Sequence, residues 1–506
     1  MPGTLSKLLE DLPVLNSLNP LVEIAAARLE RWSPKDTGIV LAAAAAGGIA
    51  LGYYYYSHLD PSLKQILTGK VDRGNVARQI QEKGPISQIY GISGHGYMVK
   101  EGRSYFFRLL FKGSILDKDN EEHTRTRRLL SSAFKSDSLR AYLPRMTSEI
   151  RSEFDLWVKM SQESGFVDLE LELKQLALRF AFTLLVGADF TKDHSISTEL
   201  VEKYEALLRG FIPWPIGKWD ARKKSMEARQ ALVDDVTEII RKRRKLLLEG
   251  VKPEFSDPLW LLMTTKDENG HSYTDEELAD ECVVLVIAGH ETTARTLAAW
   301  TVELLRHPSL ITALRKEQED LVKSYPCDAD NNYTNEHIKH MPLLDATFRE
   351  IERMYGPAGE ISRVTRNDIT FVPADGGKPT VIKKGNRIAW SVTATNRDPA
   401  VYPEPNAFNP CRWLNSSLTS SPTLSKDQDS DLGAVKVSSF RLGTFGAGHR
   451  VCLGMQFARM EMLLIGGLMI KDYDFEDVDP ECDLVEVGRP KFGYKDGIRV
   501  RFKRRA

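Results

Sequence analysis

Phe445-Gly446-Ala447-Gly448-His449-Arg450-Val451-Cys452-Leu453-Gly454 is the stretch on which the reading of this 506-residue chain turns. Gly446 and Gly448 let the backbone turn tightly and come close to a flat ligand. Gly454 opens a strongly helical segment from Met455 to about Ile470, so Cys452 stands at a helix N-terminus. There the positive end of the helix dipole and neighbouring backbone N–H groups both favour a thiolate. The alternative for a lone cysteine is a buried structural residue beside a glycine turn. These ten residues together weigh against it.

Working upstream, Thr274 and Glu277 form a capping-box pattern ahead of an apolar run to Leu305, and Pro308 ends it. About thirty helical residues make a rod of roughly 45 Å, enough to cross a domain. Inside it lies Ala288-Gly289-His290-Glu291-Thr292-Thr293. The small residues at 288 and 289 leave room for a flat cofactor and a small second ligand against the helix. Helical Ser and Thr hydroxyls bond the carbonyl one turn back and loosen the ladder. A groove widened there would hold water beside Glu291 and Thr292, a route for protons. By itself, a Gly near a Thr in a core helix is ordinary packing.

A third pattern is Glu350-Ile351-Glu352-Arg353, with Glu350 and Arg353 on one helix face. Phe408-Asn409-Pro410-Cys411-Arg412-Trp413 offers a second arginine downstream. A carboxylate between two guanidiniums can be held bidentately and would lock the cysteine loop in place.

The rest of the chain sets limits. Hydrophobic residues at 42% and charged residues at 27% are a globular balance, and a net charge of −1 argues against nucleic-acid binding through bulk charge. The five cysteines are scattered without zinc-site spacing, as suits a reducing compartment. Thr37 to Ser57 is uncharged over 21 residues, long enough to span roughly 30 Å of bilayer core, with Tyr53 to Tyr56 at headgroup level. An alanine-rich buried helix is the other reading of that segment. Helical periodicity dominates from Glu121 to Leu248, where the basic run Arg241 to Lys245 reads as a solvated face. A helix over Leu343 to Met354, strand-like pieces at Ile86 to Val99, Ile369 to Val372 and Arg387 to Val392, and a polar insertion at Asn415 to Leu432 complete the pass. No dinucleotide-binding glycine fingerprint is visible.

In this order and spacing the three patterns resemble the cytochrome P-450 family of haem-thiolate monooxygenases, over roughly Glu121 to the C-terminus. The resemblance implies a mainly α fold with a small β-sheet. One large haem domain (58–506) would follow an N-terminal extension (1–36) and a transmembrane anchor (37–57). It implies haem b with Cys452 as axial ligand, Phe445 packed against it, and Ala288 and Gly289 lining the cofactor. Glu291 and Thr292 fall on the oxygen-activation motif, and Glu350, Arg353 and Arg412 on the structural triad. Arg363 and Arg450 match propionate partners, and His123 with Arg127 resembles the family's Trp-x-x-x-Arg propionate motif with His in place of Trp.

The activity implied is insertion of one oxygen atom from dioxygen into a lipophilic molecule: a sterol, a terpenoid or a fatty-acid-like compound. Electrons would come from an NADPH-dependent flavoprotein reductase, docking on a face formed by Arg125, Arg128, Arg441 and His449. The implied location is a membrane, that of the endoplasmic reticulum, with the haem domain cytosolic. Phe211 to Ile216 falls at the substrate-access loop, and Trp219 to Arg229 loosely resembles members acting on sterols, retinoids or other terpenoids. Two departures stand out. The proline-rich hinge after the anchor is missing, and only residues 58–122 separate the anchor from His123, fewer than the family pattern leads one to expect. Either the substrate mouth is trimmed or the gene model is imperfect. Other readings are a haem-thiolate isomerase or dehydratase, against which the intact Glu291-Thr292 pair argues, and a degenerate, non-catalytic haem protein.

Overall fold

A computed structural model of the chain describes residues 111–188, 194–209, 219–253, 255–266, 270, 272–329, 331–371, 378–414, 442–477 and 497–505, with short strands at 98–99, 484–485 and 493–494. All belong to one compact unit, Arg73–Ala506. The expected extension and anchor, the access loop at 211–216 and the insertion at 415–432 lie outside the described residues. Among the described residues, no helix is long and apolar enough to cross a membrane.

Helices carry the fold. They are α1 (Asn120–Ser131), α2 (Ser136–Ser164), α3 (Leu169–Phe180), α4 (His194–Arg209), α5 (Trp219–Leu248), α6 (Pro258–Thr264), α7 (Asp275–Arg306), α8 (Pro308–Ser324), α9 (Asn335–Lys339), α10 (Pro342–Tyr355), α11 (Val392–Asn396) and α12 (Met455–Asp472). The centre is α7, whose start is fixed by the expected capping box: Glu277 N–H donates to Thr274 Oγ1, and Thr274 N–H to Glu277 Oε2. Its apolar stretch from Cys282 to Ile287 is buried all round. The mostly apolar α12 is likewise buried from Met460 to Ile470. These two meet α10 at a stacked pair, Trp300 and Phe348, with ring centroids 4.8 Å apart. A Cβ at Gly466 would come within 3.0 Å of the Phe348 ring, so glycine is what lets α12 approach.

The expected small sheet is instead several. Strand β1 (Met98–Val99) pairs with β3 (Glu360–Thr365), which pairs with β6 (Arg387–Ser391), all antiparallel. A second three-stranded sheet runs β2 (Val167–Asp168), β10 (Arg499–Arg504), β7 (Tyr473–Asp477). Two-stranded ladders join β4 (Ile369–Phe371) to β5 (Thr380–Ile382) and β8 (Leu484–Val485) to β9 (Gly493–Tyr494). The basic run on α5 is only partly a solvated face. Arg241, Lys242 and Lys245 are exposed, but Arg243 turns inward onto buried Asp257 at 2.7 Å.

Candidate active site

The cysteine loop folds as its glycines require. Gly446 (φ +71°) and Gly448 (φ +68°) both take left-handed backbone, and a Cβ at Gly446 would also sit 3.3 Å from Ile361. Cys452 N–H donates to the Phe445 carbonyl at 2.9 Å, closing the loop, and Gly454 caps α12. Cys452 keeps an exposed surface, yet burial is the largest influence on its thiol and pushes its pKa up. The Gly454 N–H and the Arg127 guanidinium pull the other way. The expected helix-terminus stabilisation of the thiolate is present, but burial outweighs it in the protein alone.

Arg127 lies on α1, four residues after buried His123. Burial lowers its pKa, and the nearby Cys452 opposes that. Arg450 is pushed down to about 10, first by burial, with Asp119 opposing and with Arg363 and Arg127 adding to the depression. Three expected propionate partners are therefore gathered closely enough to repel one another. Arg450 is already engaged: it donates to the carbonyls of Ile115 (3.2 Å) and Lys118 (2.7 Å) and to Asp119 Oδ1 (2.9 Å). The same segment, 111–119, is strapped to α7, where buried Glu281 accepts from Ile115 N–H at 2.8 Å and Lys118 Nζ at 2.7 Å.

On α7, Ala288 and Thr292 are exposed while most of the surrounding helix is buried. They line a cavity of about 270 Å³ with Val284, Ile287, Glu291 and Arg295. Across it stand Pro357, Ala358 and Val392. The Thr292 hydroxyl donates to the Ala288 carbonyl at 2.7 Å, the back-bond the sequence implies, and Thr293 and Thr296 do likewise. The ladder is not opened by it, since α7 runs unbroken from 275 to 306. The irregular turn is next door: Ala181–Val186 is a π-helix. Gly289 faces that turn, with a Cβ there meeting Leu185 at 3.4 Å and Ala181 at 3.6 Å. Gly289 thus packs closely on that turn, and Ala288 and Thr292 make the cavity face.

The triad forms around Glu350 without solvent. Its Oε1 accepts from Arg353 Nη2 (2.8 Å), Arg412 Nε (2.9 Å) and Asn409 N–H (3.0 Å). Its Oε2 accepts from Arg353 Nε and Trp413 Nε1, each at 2.9 Å. The link to the cysteine loop runs through residues the sequence reading did not single out. Arg353 Nη1 donates to the Asn396 carbonyl (3.0 Å), Gly443 N–H donates to Asn396 Oδ1 (3.1 Å), and the Thr444 hydroxyl donates to the Glu352 carbonyl (2.7 Å). Glu352 also pairs with Arg459 of α12 at 3.2 Å, and Arg459 lies over the Phe445 ring.

The family model for cytochrome P450 matches residues 94–493. The chain belongs to the cytochrome P450 family. Among curated P450s it is 27% identical over 413 residues to a sterol 14alpha-demethylase of Mycolicibacterium vanbaalenii, covering 78% of this chain and 80% of that one. It is 26% identical over 377 residues to a beta-amyrin 11-oxidase of Glycyrrhiza uralensis, covering 74% and 70%. The fold matches a solved structure of retinoic acid bound cyanobacterial CYP120A1, with TM-score 0.67, 24% identity, and coverage of 86% of this chain and 96% of that one.

As a P450 the protein is a haem b monooxygenase, and its residues fit that group. A cysteine held at a helix start, a cluster of arginines beside it, and small or hydroxylated residues on the exposed face of α7 fit what haem requires. Cys452 would ligate the iron, and Arg127, Arg363 and the remaining donor capacity of Arg450 would face the propionates. When bound, the haem supplies dioxygen activation; thiolate ligation favours O–O cleavage. Of the expected docking face, Arg128 and His449 are exposed and Arg125 is partly buried, while Arg441 lies outside the described residues.

Arg295 is the site residue that sequence reasoning missed. Its Nε donates to Glu291 Oε1 at 2.6 Å, so the carboxylate of the oxygen-activation motif is tethered one turn along its own helix. The i,i+4 spacing was available in the sequence, but such a pair ordinarily sits on a surface and contributes little.

Proposed function

We propose that this P450 hydroxylates a lipophilic small molecule of sterol, terpenoid or fatty-acid-like type, using electrons from NADPH delivered by a separate flavoprotein reductase. The observation that carries the reading is the pairing of an apolar-walled cavity with Glu291 and Thr292 on its α7 side. Val284, Ile287, Ala298, Pro357, Ala358 and Val392 give the cavity walls that favour apolar carbon over water. Thr292 holds a hydroxyl at the cavity face and Glu291 a carboxylate one residue away, which together can hold water and pass a proton. An isomerase or dehydratase has no use for that pair. The relatives that oxidise a sterol and a triterpenoid lend support to the substrate class.

We further propose that residues 37–57 anchor the chain in the endoplasmic reticulum membrane with the haem domain cytosolic, a reading that rests on the uncharged run alone.

The experiment is a carbon monoxide difference spectrum of the reduced, haem-supplied protein, followed by turnover with a flavoprotein reductase and NADPH. A strongly red-shifted Soret band with NADPH-dependent product supports the proposal. The band without turnover on any lipophilic compound would favour the non-catalytic reading. Absence of the band in folded protein would overturn thiolate ligation.

A further inference from the structure

We propose that the preferred substrate carries a carboxylate, and that Arg295 and Arg397 are the residues that select it. The inference rests on the monooxygenase reading above and deepens it.

Both arginines line the cavity that Thr292 faces. A guanidinium beside apolar walls has lost hydration and needs acceptors in return. Arg295 is mostly buried, with 15% of its side-chain surface exposed, and only its Nε is satisfied, by Glu291. Neither Nη nitrogen has a hydrogen-bond partner among the described residues, and Nη1 is itself buried. Arg397 is half-buried, and among the described residues its guanidinium has one hydrogen bond, from Nη2 to a neutral acceptor, the Met354 carbonyl, at 2.6 Å.

Charge balance points the same way. Of the two acidic residues lining the cavity, Glu291 is paired with Arg295 at 2.6 Å, and Glu170 shares Lys174 (3.4 Å) with Glu205 (3.0 Å). Arg397 has no carboxylate within ion-pair distance among the described residues, and the Arg353 guanidinium repels it. The triad behind it sets one carboxylate, Glu350, against two arginines. The wall therefore holds guanidinium N–H donors, on Arg295 and Arg397, that face apolar carbon without a carboxylate to take them. A neutral sterol would cover these groups without satisfying them. A lipophilic monocarboxylic acid matches both, its carboxylate taking two N–H donors and its carbon frame lying against the apolar walls.

The test is ligand binding to the haem-loaded full chain, read by Soret shift and separately by equilibrium dialysis. The probes are palmitic acid (an open chain) and abietic acid (a fused terpenoid frame), each against its methyl ester. At least one acid is expected to bind about tenfold tighter than its ester. R397Q and R295Q should each remove most of that preference, and R397K should restore part of it. The acid that shows the preference identifies the carbon frame. Esters binding as tightly as acids, no acid binding by dialysis, or a preference that survives both glutamine variants would overturn the inference. A carbon monoxide spectrum on the same sample separates this failure from failure of the haem reading, since dialysis reads the acid preference independently of the iron.

Discussion

Thr292 donates its hydroxyl to the Ala288 carbonyl at 2.7 Å, and these two residues are the exposed pair on an otherwise buried stretch of the central helix. The hydroxyl is parked on the backbone yet stands at the cavity face, one rotamer away from donating into it. Thr292→Ala should leave haem content and the carbon monoxide spectrum intact while product per NADPH falls about tenfold or more and hydrogen peroxide rises to match. Thr292→Ser should recover most of the coupling. Unchanged coupling in the alanine variant would remove Thr292 from proton delivery.

Glu350 collects five N–H donors from Arg353, Arg412, Asn409 and Trp413 while fully buried with Arg353. Glu350→Ala strands two guanidiniums and should cost about 3–5 kcal/mol of stability. Denaturant unfolding measures this, and a loss below about 1 kcal/mol would contradict the triad's structural role.

Arg127 is the cation within reach of Cys452. Its removal in Arg127→Ala forfeits a charge-assisted contact to the cofactor, on the order of tenfold in retention. Transfer of haem to apomyoglobin, followed by absorbance, should be faster by that factor. Equal transfer rates would place the propionates elsewhere.

Glu172 is buried on α3 and pushed up to about 7, first by burial and then by neighbouring Glu153. A carboxyl that holds its proton more tightly folded than unfolded favours the folded state below its unfolded value near 4.5. That contribution is lost as pH rises through about 7. Glu172→Gln should therefore raise the melting temperature at pH 8 relative to the parent and change it little at pH 4.5. A variant no more stable than the parent at pH 8 would mean the carboxyl ionises without penalty.

What the sequence made legible was local. The capping box of Thr274 and Glu277, the Glu350–Arg353 spacing, the Thr292 back-bond and the glycine turn before Cys452 are set by residues three to ten apart, where helix and turn geometry leave few choices. The packing of Gly289 was not legible because a small residue announces a close approach without naming the neighbour, here the π-turn at Ala181–Val186. Arg243 hid in a basic run because its partner Asp257 sits fourteen positions on, in another helix's cap. The second sheet escaped because it pairs Val167 with Val500, a register that no short window contains.

The strap at 111–119 has a consequence for how the molecule is made. Its bonds to Arg450 join positions more than 330 apart in the chain, and its bonds to Glu281 more than 160 apart. During synthesis the strap leaves the ribosome early and waits, first for the middle of the polypeptide and then for nearly its end. Contacts so distant in sequence carry a loop-closure cost that the chain meets only once its other parts have condensed. The bonds from this strap to Arg450 therefore cannot form until the C-terminal part of the chain is present.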